Sequence, residues 1–128
     1  MKLTVIAILL VAILVSATII LSVGENNMNE WMENNVSIVD GKQTITIDAR
    51  GGYFPRATRA QANRATVLNV RTKGTFDCSS ILVIPKLGFR SNLPLKGETL
   101  INIPPQIAGS IVKGSCAMGM YNFAIKFD

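Results

Sequence analysis

The chain divides by hydrophobic pattern into three parts: an unbroken apolar run, a short polar stretch, and a long region in which apolar and polar positions alternate. The run is residues 3–23, LTVIAILLVAILVSATIILSV, without a charge and with only small hydroxyls as polar interruptions. That length and composition predict a helix able to cross a bilayer, either an uncleaved anchor or the apolar region of a secretory signal. Lys2 precedes the run, whereas Glu25, Glu30 and Glu33 follow it before any further basic residue. This charge order puts the bulk of the chain outside the cytoplasm, membrane-anchored if the segment stays and secreted if it is cleaved.

Residues 25–35, ENNMNEWMENN, read as a polar juxtamembrane linker, and 36–128 as one domain, because about ninety residues support one core. Within it, 36–40 and 43–50 (QTITIDAR) alternate in the manner of half-buried strands, with Asp40-Gly41 as the turn between them. Further strand-like runs are 65–72 (ATVLNVRT), 81–84, 98–103 and 120–127 (MYNFAIKF), separated by glycine and proline punctuation. Phe123, Ile125 and Phe127 form one apolar face of the last run, and Tyr53 with Pro55 marks a strand-ending turn. Residues 58–64 alone read as a short helical turn. Many short strands at turn-limited spacing predict an all-β domain, a sandwich or barrel, behind one N-terminal transmembrane helix.

Charge adds little to this picture. The net charge is +5, concentrated where Arg50, Arg56, Arg59, Arg64, Arg71, Lys73, Lys86, Arg90 and Lys96 are opposed only by Asp77. Neither interleaved aromatics nor a recognition motif accompanies these residues, so a nucleic-acid surface is excluded. A solvated basic face or a dock for an acidic partner protein remains. No catalytic serine, carboxylate pair or phosphate loop stands out, and a chain without histidine is poor in general bases, so an enzyme is not expected.

The candidate chemistry is sulfur. Cys116-Ala117-Met118-Gly119-Met120 places one thiol and two thioethers within five residues, and Cys78 is the second cysteine. Soft donors of this kind suit Cu(I). In an extended segment residues 116, 118 and 120 face one way, and Gly119 permits a bend that brings them together. The two methionines have a second reading as core side chains. The cysteines have one as a disulfide, closing a loop of about 38 residues, worth roughly 4 kcal/mol in the chain-entropy model. Met28 and Met32 flank Trp31 at helical spacing, which reads as a frayed helix end with an interfacial tryptophan. Asn35-Val36-Ser37 matches a glycosylation acceptor in a eukaryotic secretory setting.

An ordered series of segments carries a family resemblance: Gly52-Tyr53-Phe54-Pro55, then 77–88 (DCSSILVIPKLG), Leu93-Pro94, Gly97-Glu98-Thr99, and 114–121 (GSCAMGMY). Together they resemble the cupredoxin-like domains of bacterial membrane-anchored extracytoplasmic proteins, the Greek-key sandwiches of plastocyanin and azurin type, over residues 43–128. The resemblance implies copper at one end of the sandwich, with Cys116, Met118 and Met120 on the ligand loop. It implies an upstream ligand near Ser80, where Cys78, two residues earlier, substitutes for the family histidine. Without imidazoles such a site favours Cu(I) binding, buffering or transfer over electron shuttling, in exchange with a copper transporter or chaperone. The alternative is a metal-free, disulfide-stapled β-sandwich binding module. A copper electron carrier is disfavoured by the lack of histidine.

Overall fold

The structure, a computed structural model, describes residues 1–22 and 31–128, with side chains for 1–17 and 31–128. Its elements are helix α1 (Lys2–Ser22), then strands β1 (Val36–Val39), β2 (Lys42–Ala49), β3 (Tyr53–Phe54), β4 (Ala57–Ala60) and β5 (Thr66–Lys73). There follow β6 (Ile81–Ile84), β7 (Phe89–Asn92), β8 (Lys96–Ile103), β9 (Ile111–Cys116) and β10 (Asn122–Phe127). Among the described residues the protein is thus mostly β with one N-terminal α-helix.

The expected membrane-spanning helix is corrected. Among the described residues no helix is long and apolar enough to cross a membrane. Met28 and residues 25–30 lie outside the described residues. Trp31 and Met32 do not belong to a helix end: Met32 bridges in parallel to Thr58, donating its N–H to Ala57 O at 3.0 Å and accepting that of Arg59 at 2.8 Å.

The strands form two five-stranded sheets, one in the order β1-β2-β5-β8 with β3 beside β2, the other β4-β10-β9-β6-β7. β1 and β2 make a hairpin whose turn residues Asp40 and Gly41 have φ of 51° and 76°. Positive φ at both central positions is the geometry that matches strand twist, and Asp-Gly adopts it readily. β2 then pairs in parallel with β5, and β10 in parallel with β4. Residues 57–60 are therefore a strand rather than the start of a helical turn: Thr58 and Ala60 point inward against β10 while Arg59 points out. Period two brings Ile45, Ile47 and Ala49 of β2 and Leu68 and Val70 of β5 onto the same interior face. They share one core with Leu82, Ile84, Val112, Phe123, Ile125 and Phe127 of the other sheet.

One end of the two sheets collects the residues of interest. β2 and β5 finish there, β8 starts there in antiparallel register with β5, and β9 hands over to β10 through residues 117–121. The loop 74–80, which joins β5 to β6, closes the same end.

Candidate functional site

Cys78 opens a 3-10 turn, Cys78–Ser80, just before β6. Asp77 caps this turn: its carboxylate accepts the Ser79 N–H at 2.8 Å, the Ser79 hydroxyl, and the Gly51 N–H at 2.7 Å from the turn after β2. These bonds, led by that from the Ser79 hydroxyl and joined by the two amides and nearby Arg50, hold the Asp77 carboxyl below its ordinary pKa despite some desolvation. An Asp followed two residues later by Ser is an N-cap pattern visible in the sequence, where charge alone presents Asp77 only as the lone acid among bases.

Beneath the turn, Tyr53 is buried, 1% exposed, and donates its hydroxyl to Ser79 O at 3.1 Å. It is therefore an anchor for the cysteine-bearing loop as well as a turn residue. Burial, reinforced by the negative charge of Asp77, pushes the Tyr53 phenol up to about 12. Its ring meets Phe123 edge-on at 5.2 Å and 68°. Phe123 in turn leaves no room above Gly114, its partner across β9 and β10, where a Cβ would overlap the ring.

Cys116 ends β9. Its N–H donates to Tyr121 O at 3.0 Å, and the Tyr121 N–H points back to Cys116 Sγ at 3.4 Å, closing the 117–121 loop on itself. Gly119, with φ of 70°, turns the chain and donates to Cys116 O at 2.9 Å. The segment is thus a tight turn rather than an extended ligand strand, and β10 begins at Asn122, after Met120.

The structure joins Cys78 and Cys116 in a disulfide, with Cα atoms 5.6 Å apart, so neither cysteine is free. It is the 3-10 turn, not strand alternation, that carries Cys78 to Cys116. Met118 and Met120 sit on the turn that follows, 81% and 65% exposed, so neither is a core side chain. Met120 also lines a cavity of about 320 Å³ with Phe54, Arg56 and Tyr121. Among the described residues no three histidine, cysteine, aspartate or glutamate side chains stand together as a metal cluster. With the cysteines joined, the sulfur donors exposed at this end are the thioethers of Met118 and Met120, soft ligands unlike the oxygen donors that calcium and magnesium take.

Elsewhere the structure gives ordinary structural roles. Arg71 forms a two-pronged pair with Asp48 at 2.7 and 3.0 Å, and Arg59 meets Asp128 at 3.2 Å. Asn35 donates to Thr46 O at 3.0 Å and to Thr58 Oγ1 at 2.9 Å, tying β2 to β4.

No family model matches the chain, and no curated protein matches it. Solved structures do. The metal-binding domain of the Cu(I)-exporting P-type ATPase CopA from Streptococcus pneumoniae D39, solved with Cu(I), superposes with a TM-score of 0.65 at 22% identity. That match covers 73% of this chain and 92% of the domain. A copper binding protein in its apo form, solved in solution, gives 0.67 at 24% identity over 76% of this chain and 98% of its own. At these identities the likeness is one of fold: the chain has the β fold of two domains of that description.

Proposed function

We propose that this is a cupredoxin-like domain that binds Cu(I), in its reduced state, through Cys78, Cys116, Met118 and Met120. The observation that carries the reading is the joining of the two cysteine sulfurs at a surface end whose next turn displays two exposed thioethers. Thiolates and thioethers are the ligands that select Cu(I), and exposed methionines have no packing role to explain them. Both solved neighbours are described as copper-binding, one as part of a Cu(I) exporter, which supports the same cargo and a transporter or chaperone as the exchange partner.

The domain binds and passes on its cargo rather than catalysing a reaction. It works outside the cytoplasm, where a disulfide persists. X-ray absorption of the reduced, Cu(I)-loaded chain tests the assignment: a sulfur-only shell is expected, and a shell dominated by nitrogen or oxygen would overturn it. A second reading, a metal-free module stapled by Cys78–Cys116, draws on the disulfide itself. It predicts that the reduced chain does not compete for Cu(I).

A further inference from the structure

The two sulfurs of the disulfide are not equivalent. Cys116 is 1% exposed, held in β9 opposite Leu82, and its Sγ receives the Tyr121 N–H at 3.4 Å. Cys78 is only partly buried, on a loop whose Phe76 is 81% exposed to solvent. The carboxylate next to it in the chain, Asp77, is turned to the amides of Gly51 and Ser79 and the Ser79 hydroxyl.

A thiolate attacks the sulfur it can reach, and exchange is favoured when the sulfur that departs is stabilised as an anion. Access selects Cys78 as the sulfur attacked. The amide N–H of Tyr121 is already aimed at Cys116, where it would donate a charge-assisted hydrogen bond to the departing thiolate. We propose that Cys78–Cys116 is a redox gate on the sulfur site, opened by an external thiol at Cys78. In the first step R–S⁻ bonds to Cys78 Sγ and the bond to Cys116 breaks, giving a mixed disulfide and the Cys116 thiolate. A second equivalent of the thiol attacks the sulfur of R, releasing R–S–S–R and Cys78 as a thiolate. Two thiols are oxidised, one disulfide is reduced, and the thiol protons pass to solvent.

Closed, the gate leaves Cu(I) only the thioethers of Met118 and Met120; open, it adds two thiolates. The copper reading enters only in what the gate serves, since the exchange step stands on access and hydrogen bonding. The test takes the full chain, oxidised and copper-free, with limiting glutathione, followed by an acid quench, N-ethylmaleimide and peptide mapping by mass spectrometry. Glutathione is expected on Cys78 and maleimide on Cys116, with an excess on the order of tenfold or more over the reverse. An even partition, or glutathione chiefly on Cys116, overturns the proposal.

Iodoacetamide gives an independent reading. Cys78 in the Cys116→Ser chain should alkylate faster than Cys116 in the Cys78→Ser chain, and equal rates count against the assignment. A chelator competition then separates the two ideas. The gate requires that the oxidised chain bind Cu(I) more weakly than the reduced one, and equal affinity overturns it. Site-selective exchange with no Cu(I) binding by the reduced chain would leave the exchange at Cys78 intact and remove the copper reading alone.

Discussion

Replacing Tyr53 by phenylalanine removes one oxygen from beneath the cysteine loop and leaves the ring in place. The hydroxyl is buried and donates to Ser79 O at 3.1 Å, so the variant loses a bond and strands a carbonyl. Loss of such a bond costs about 1–2 kcal/mol. The alkaline side gives a second, sharper signature. The folded phenol titrates at about 12 against an ordinary 10.0, because burial, and then Asp77, disfavour the phenolate. A raised folded value means that the stability it supplies is whole below pH 10 and is lost as pH climbs towards about 12. At about pH 11 the unfolded chain is mostly ionised and the folded one mostly not, which lowers wild-type stability by about 1.4 kcal/mol. The phenyl ring of the Tyr53→Phe variant has no proton to lose. Urea unfolding of both proteins, oxidised and compared at neutral and alkaline pH, should therefore show a gap of about 1–2 kcal/mol that closes to near zero at about pH 11. A gap that stays constant with pH, or equal stability at neutral pH, would refute the anchoring role.

Gly114→Ala drives a methyl group into the Phe123 ring and through it against Tyr53; urea unfolding should show a loss of roughly 1–3 kcal/mol, the usual cost of overpacking. Asp77→Asn tests the cap. The folded carboxyl is held below its ordinary value, so its contribution is present above about pH 4 and fades as pH falls through the lower folded value. The stability difference between wild type and variant should shrink on acidification, measured by thermal melts. Reduction of Cys78–Cys116 should lower stability by roughly 4 kcal/mol on the chain-entropy model, read from unfolding curves with and without reductant.

Local pattern made several strands legible. QTITIDAR announces β2 because each inward residue is apolar or, like Gln43, satisfied within the core by Gln61 and Thr66. Residues 81–84 are β6, bounded by the 3-10 turn on one side and Pro85 on the other. Pattern failed where partners are distant. β4 is too short for alternation to be read, and its strand character comes from parallel pairing with β10. β9 hid because its inward face, Val112, Gly114 and Cys116, carries a glycine in the middle while the apolar Ile111 faces out, although Gly114 is required by the Phe123 ring. The parallel pairing of β2 with β5 leaves no local trace at all.

For the site, the cluster of Cys116, Met118 and Met120 was visible by composition, and Cys78 by being the other cysteine. Its supports were legible only in part: the Asp77–Ser79 cap is local, whereas Gly51 and Tyr53 join it across 26 residues by hydrogen bonds. The apolar run at the N-terminus reads as a membrane span on hydropathy alone, whereas among the described residues no helix is long and apolar enough to cross a membrane.

The central claim, Cu(I) held by four sulfurs, is tested most directly by titrating the reduced full chain with Cu(I) against a competing chelator. Three variants belong beside it: Cys78→Ser with Cys116→Ser, Met118→Leu, and Met120→Leu. The leucine changes nearly keep volume while removing sulfur, and at exposed positions they should leave folding unchanged. Wild type should take at least one Cu(I) per chain, the leucine variants should hold it more weakly, and the double serine variant should not compete. Competition by the double serine variant equal to that of wild type would contradict the account.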